Sequence, residues 1–213
     1  MAKGGSEAKH GELDTRSRIL EAAIALLIKR GGADVTMAEI GKAANVSRQA
    51  VYLHFADRGD LFLALVHYAD EKRGLDKEIE RIRNAPSAVA AIRAMASLQA
   101  RSNPDIWPLA RATDAVRRND EALERAWQDR LQDRLAGCKA IVKSLAKEGS
   151  LRPDITLAAA TDLLWTITSL RTWEDLVLER KWKPSEYEKL ITDLLLRMLT
   201  KQQPESAREQ TAD

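Results

Sequence analysis

Cysteine is nearly absent from this chain. Cys138 is the single one, which excludes an intramolecular disulfide framework and fits a reducing, cytoplasmic setting. With no second thiol to resolve an oxidised form, Cys138 reads as a small buried hydrophobe and not as a sensor. Histidine is scarce as well. His10, His54 and His67 lack metal-ligand spacing, so neither a metal nor another cofactor is expected. No apolar run approaches the ~20 residues of a membrane span, so no membrane partner is expected. The N-terminal MAKGGSEAKHGELD has no apolar h-region, so it is not read as a signal peptide. The chain also has no G-x-S-x-G elbow, P-loop, Rossmann glycine pattern or H-E-x-x-H. The expectation is a protein that is not an enzyme and has no catalytic residues.

Net charge is small too. At +2 the chain is no general polyanion binder, and any contact with nucleic acid must come from local placement of charge. Proline and tryptophan are missing from the first part. All six prolines lie at or beyond Pro86, and all five tryptophans lie beyond residue 100. Pro86, Pro153 and Pro184 fall between helical patterns, where proline marks boundaries. Alternating β-branched runs are absent throughout, so the fold is read as all-α. About nine helices are expected, over 15–30, two short ones within 36–56, then 57–80, one from 86, 105–117, one carrying Leu123 to Leu145, 155–180 and 184–200. The division that follows is an arm over 1–13, a three-helix domain over 14–60, a larger helical domain over 61–201 and a frayed tail over 202–213. Lys3, Lys9 and His10 make the arm weakly basic; it is either an inert tail or an element that touches the DNA groove or backbone.

What is present is concentrated in TMAEIGKAANVSRQAVYLHFADRGD, Thr36 to Asp60. Thr36 and Glu39 form a capping box that opens a helix. Asn45 sits where that helix must stop, in the left-handed conformation that asparagine tolerates. Ser47 caps the next helix, whose Val51 and Phe55 point inward at i, i+4 spacing. Two short helices joined by about four residues match a helix-turn-helix, whose second helix enters the major groove. Arg48, Gln49, Tyr52 and His54 are left facing outward. Arg48 and Gln49, with Tyr52 beside them, are candidates for base edges. Thr36, Ser47, His54 and Arg58 are candidates for phosphates.

The pattern T-x-x-x-I-x-x-x-A-x-V-S-x-x-x-V-Y-x-H-F-x-D-R, preceded by Ile19-Leu20-x-x-Ala23 and Gly31-Gly32, resembles the N-terminal domain of the TetR (tetracycline-repressor-like) regulators, over about residues 14–66. Members commonly have Gly where this chain has Asn45, and Lys-Glu where it has Arg58-Gly59. Gly59 in a first helical turn is mildly unfavourable, and the sequence offers no reason for it. The resemblance implies a homodimer on double-stranded DNA with a palindromic operator, a ligand-binding and dimerisation domain, and a repressor released by a small-molecule effector.

The remaining candidates follow from pattern and resemblance together. LLWTITSL, Leu163 to Leu170, is apolar on more than one side, as a helix buried on several faces is. Tyr187, Leu190, Ile191, Leu194, Leu195, Met198 and Leu199 form a stripe on the last helix. By resemblance these two helices meet their copies in a dimer, with Leu164, Tyr187, Leu190, Ile191, Leu194, Leu195 and Met198 at the interface; packing within their own domain is the alternative. Trp107, Arg111, Trp127, Trp165 and Thr168, with His67, Met95 and Leu98, are candidates for an effector cavity. Each tryptophan also fits a plain core role, and Arg111 and Asp114 fit either polar contacts in the cavity or surface ion pairs. The run DEALERAWQDRLQDR reads as a solvated face with i, i+4 pairs such as Glu121–Arg125, and with Arg130 and Arg134 beside neighbouring acids. The alternative function is a helical adaptor acting through protein partners without an inducer; exposed Arg48, Gln49 and Tyr52 argue against it.

Overall fold

The computed structural model describes residues 5–31 and 35–201, with residues 5–14 as backbone only. Lys3 of the expected arm, the side chains of Lys9 and His10, Gly32 and the expected tail 202–213 lie outside the described residues. The described chain is all-α: α1 Gly5–Lys29, α2 Met37–Ala43, α3 Arg48–His54, α4 Arg58–Arg73, α5 Leu75–Arg83, α6 Ala88–Arg117, α7 Glu121–Lys147, α8 Leu157–Ile167, α9 Leu170–Trp173 and α10 Pro184–Leu199. A π-helical turn, Glu174–Glu179, continues α9. Among the described residues the extended pairing is one isolated bridge between Leu151 and Thr200. No helix there is long and apolar enough to cross a membrane.

Several boundaries differ from those expected. The backbone of α1 is helical from Gly5, ahead of residue 15; SEAKHGELD is rich in helix-favouring Glu, Ala and Lys. The helix expected over 57–80 is two. α4 stops at Gly74, whose φ of 62° is the left-handed C-cap that glycine adopts freely, and α5 follows. The helices expected from 86 and over 105–117 are one, α6, with Pro104 and Pro108 inside it. The helix expected over 155–180 breaks at Thr168 and Ser169. Thr168 Oγ1 donates to the Leu164 carbonyl at 2.6 Å, and Ser169 Oγ accepts from Thr172 N at 3.1 Å to start α9. Such local side-chain bonds compete with the helical ladder.

The described residues pack as two units, those within 1–76 with 104–130 and those within 77–103 with 131–201. The sequence division at 60 follows composition, whereas packing adds α4, the end of α6 and the start of α7 to the first unit. That unit is built on Ile19, Leu20, Leu27, Ile40, Val51, Phe55, Leu61, Phe62 and Leu65, all buried, with Leu109, Ala112 and Leu123 completing the cluster. In the second unit Ile92, Ala96, Cys138, Val142, Leu145, Leu164, Trp173, Tyr187, Ile191, Leu195 and Leu199 are buried.

Candidate nucleic-acid interface

The reading element is assembled by caps. Thr36 Oγ1 accepts from Glu39 N at 3.2 Å while the Glu39 carboxylate accepts from Thr36 N at 2.9 Å, closing the capping box that opens α2. The Arg30 guanidinium on the same carboxylate at 2.5 Å, with the Thr36 bonds, holds the Glu39 pKa down at about 2. Asn45 takes a φ of 55° and turns the chain. Arg18 of α1 secures that turn, its Nη2 donating to the Ala44 carbonyl at 2.7 Å. Ser47 Oγ then accepts from Ala50 N at 3.0 Å and starts α3. Val51 and Phe55 bury one side of α3 completely, which leaves the other side to solvent.

That outer side carries Arg48, Gln49, Tyr52 and Leu53, all exposed, and His54 half-exposed. The Arg48 guanidinium lies 5.5 Å from the Tyr52 ring centre, an i, i+4 pair that keeps both side chains on the face. Leu53 is 82% exposed, a large apolar group that the described residues leave largely uncovered. The sequence pattern missed it because a leucine in a helix is read as core; its place one residue after Tyr52 and two after buried Val51 was the available signal. Arg16 is also beside α3, with its guanidinium 5.2 Å from the Phe55 ring.

Two phosphate candidates change character. Thr36 donates its N–H and its hydroxyl, at 2.9 and 2.8 Å, to Glu39. It has no donor left for a phosphate, because the capping box that made it visible in sequence uses both. Ser47 keeps its hydroxyl proton, since its oxygen is the acceptor in its cap. Arg58 lies over the Phe62 ring at 5.3 Å, so its side chain also packs the start of α4. Asp57 caps that start, accepting from Asp60 N at 2.9 Å.

Gly59 now has a reason. A Cβ there would lie 1.7 Å from Asp120 Oδ2. Asp120 is the N-cap of α7, its Oδ1 accepting from Leu123 N at 3.0 Å. The first turn of α4 and the cap of α7 therefore share one space, and any larger residue at 59 would push the cap aside.

The effector candidates fall in both units. In the first, Trp107 and Trp127 are half-buried, covered by Arg111 at 5.1 Å and Arg117 at 4.8 Å. Arg111 donates to the Gly31 carbonyl at 3.3 Å, and Asp114 pairs with Arg117 at 2.7 Å. His67 is exposed, because α4 turns Leu61, Leu65 and Ala69 inward instead. In the second unit Met95, Leu98 and Trp165 are half-buried and Thr168 is buried. A groove of about 300 Å³ there runs between α7 and α8, on Leu135, Lys139, Val142, Lys143, Leu157 and Thr161 among others; none of the effector candidates lines it.

The expected interface residues also separate. Leu164, Tyr187, Ile191 and Leu195 are buried inside their own unit and offer no surface to a partner. The stripe on α10 spans two faces: one packs inward, while Leu190 and Leu194 remain 47% and 44% exposed and Met198 half-buried. Leu157, which the sequence did not single out, is exposed as well. The Tyr187 hydroxyl is pushed up to about 12 by burial. The solvated run on α7 needs one revision. Glu121 pairs with Arg125 at 3.0 Å as expected, but Arg130 reaches Asp70 at 2.7 Å and Arg134 turns inward to backbone carbonyls of α8 and the residue that follows it.

Comparison with known proteins agrees with this geometry. The family profile described as bacterial regulatory proteins, tetR family, matches residues 19–65. Over 68 residues the chain is 35% identical to the HTH-type transcriptional regulator AcrR of Shigella flexneri, a match covering 32% of this chain and 32% of that relative's length. A longer likeness, 29% identical over 180 residues, covers 81% of this chain and 88% of the nucleoid occlusion factor SlmA of a Marinomonas species. SmeT, the repressor of the Stenotrophomonas maltophilia multidrug efflux pump SmeDEF, shares the fold, with a TM-score of 0.64 at 22% identity over 87% of this chain and 90% of that one. Its complex with triclosan gives a TM-score of 0.66 at 21% identity, over 88% and 92%. With the capped turn and the outward face of α3, these matches show that residues 19–65 are a tetR-family domain of the kind found in bacterial regulatory proteins.

Proposed function

We propose that this regulator is a sequence-specific DNA-binding repressor, working in the cytoplasm as a homodimer on a palindromic operator and released by a small molecule. The observation that carries this reading is the outer face of α3. Arg48, Gln49, Tyr52 and Leu53 stand free on a short helix whose opposite side is fixed by Val51 and Phe55. Arginine to guanine and glutamine to adenine are bidentate pairs worth about 1–3 kcal/mol of discrimination each, and an exposed leucine suits a thymine methyl. Ser47, His54 and Arg58, with the amides at the start of α4, serve the phosphates.

Exposed Leu190 and Leu194 supply apolar surface for a second copy. The effector reading rests on the tryptophans outside α1–α4, and SmeT, whose fold the chain shares, has been solved with triclosan. A ligand that prefers the DNA-free form by about 1–3 kcal/mol shifts operator affinity severalfold to a hundredfold, and DNA must weaken ligand binding by the same factor. The test is fluorescence anisotropy on genomic fragments, including those flanking the gene, with and without a compound library. Saturable, sequence-dependent binding that some compounds reverse supports the proposal; binding that is indifferent to sequence would sink it.

A second reading takes the chain as a helical adaptor or dimerisation protein that acts through protein partners without an inducer; the longer likeness, to a nucleoid occlusion factor, is to a protein not named for an inducer. Compounds that bind without changing operator affinity would favour this alternative.

A further inference from the structure

Among the described residues of the second unit, Arg134 is a cation held by backbone carbonyls and an indole and not by a carboxylate. Its Nη1 donates to the Trp165 carbonyl at 2.7 Å and to the Thr168 carbonyl at 3.2 Å, closing the C-terminal end of α8. The guanidinium lies 4.4 Å from the Trp165 ring centre. Gln99 Nε2 donates to the same Thr168 carbonyl at 2.6 Å, and the Tyr187 hydroxyl stands 3.4 Å from Gln99 Oε1. Burial lowers the Arg134 pKa, and among the described residues no carboxylate pairs with it.

One edge of the fork is thus in use and the other is not. Nε and Nη2 have no partner among the described residues, and neither is sealed from solvent. That edge is the one whose two parallel N–H bonds match a carboxylate. A half-buried cation without a counter-charge, stacked on an indole, gains most from an anion that brings its own apolar body. The indole Nε1 of Trp165 is itself buried without a partner, so the groups here that lack partners are all donors. Space for an apolar body lies on the same two helices. The groove of about 300 Å³ begins at Leu135, next to Arg134, and at Thr161 and Asp162, one turn before Trp165. Its walls are Leu135, Val142 and Leu157, and its rim carries Lys139 and Lys143 against Asp162. The chain beyond, at Thr168 and Ser169, is broken and runs into a π-helical turn, a feature that recurs at functional sites.

We propose that Arg134 is the anchor for a carboxylate, and that the effector of this regulator is an amphipathic monocarboxylate whose tail lies in the α7–α8 groove. This rests on the effector reading above. Loss of the carboxylate–arginine pair should weaken binding about ten- to a hundredfold.

The experiment titrates the full-length protein with decanoate, decanol and decylamine, three equal tails with different heads, followed by tryptophan fluorescence. Decanoate should bind at least about tenfold tighter than decanol, and decylamine weakest of the three. Arg134→Gln should erase that preference, and Arg134→Lys, which keeps the charge but not the fork, should retain part of it. Should Arg134→Gln fail to fold by circular dichroism, the head-group preference of the wild type and the Lys variant decide. Equal affinity for decanoate and decanol, no binding of decanoate, or an unchanged preference in a folded Arg134→Gln or in Arg134→Lys would each overturn the proposal. Operator binding is measured in parallel. Preferential decanoate binding that leaves DNA affinity unchanged keeps the carboxylate site and removes the effector reading. Release of DNA by decanol as readily as by decanoate does the reverse.

Discussion

At the scale of single residues, Gly59 shows how a sequence anomaly becomes a contact. Its missing side chain leaves room for the Asp120 carboxylate, which caps α7. In Gly59→Ala the Asp120 side chain must leave its cap, so the variant should lose about the 0.5–2 kcal/mol of an N-cap. Asp120→Ala should lose the same, and the double variant should lose no more than either. Both variants with alanine at position 59 should regain part of that loss relative to Asp120→Ala, because alanine is the better helix former by about 0.8–1 kcal/mol. Urea unfolding of the three variants measures this; strictly additive losses would show that the two sites are independent.

Glu39 makes a second test at this scale. Arg30 and the Thr36 bonds hold its folded pKa at about 2, below the ordinary 4.5. A depressed carboxyl contributes stability that is fully present above the ordinary value and is lost as pH falls through the folded one. The window is therefore about 4.5 down to 2. The Glu39 carboxyl signal should stay that of the ion, by NMR, at pH values where ordinary glutamates have protonated. Added salt should narrow the gap, since the pair is exposed. A Glu39 that titrates with the other glutamates would mean that the capping box is open in solution.

At the scale of elements, the prediction concerns α3. Leu53→Ser should leave stability within about 0.5 kcal/mol, because an exposed side chain holds up nothing, yet it should weaken operator binding at one base position. Gln49→Ala should relax sequence preference without altering the fold. Unchanged operator affinity and preference in both would take α3 out of the groove. The short helices were legible because each is announced by its own cap: Thr36 with Glu39, and Ser47. The longer elements were less so, for reasons visible in particular residues. Apolar spacing continues through Gly74, so periodicity hid the break between α4 and α5. Pro104 and Pro108 are boundary signals in sequence, yet α6 runs through both. LLWTITSL reads as one apolar helix, while the Thr168 and Ser169 hydroxyls divide it. In the candidate site, Arg48, Gln49 and Tyr52 were readable as the residues left over when Val51 and Phe55 go inside. Arg134 was not, because a cation in a charged run gives no sign of turning inward, and the carbonyls that hold it lie some thirty residues further on.

At the scale of the whole molecule, an operator with two-fold symmetry calls for two copies. Leu190→Glu with Leu194→Glu alters exposed positions, so each protomer should still fold while dimer formation weakens by sedimentation and the melting temperature ceases to rise with concentration. Leu195→Glu should instead unfold the second unit, because Leu195 is buried in its own protomer. A Leu190→Glu/Leu194→Glu variant that remains a stable dimer would move the interface elsewhere. The central claim, that a dimer places two α3 faces on one DNA site, is tested most directly by selecting binders from random-sequence duplexes with wild-type and Gln49→Ala protein. One enriched consensus with two-fold symmetry is expected, with half-site centres about one helical turn or a multiple apart and, for the variant, relaxed preference at the same base position in each half. No enrichment, an asymmetric single site, or a consensus untouched by Gln49→Ala would contradict it.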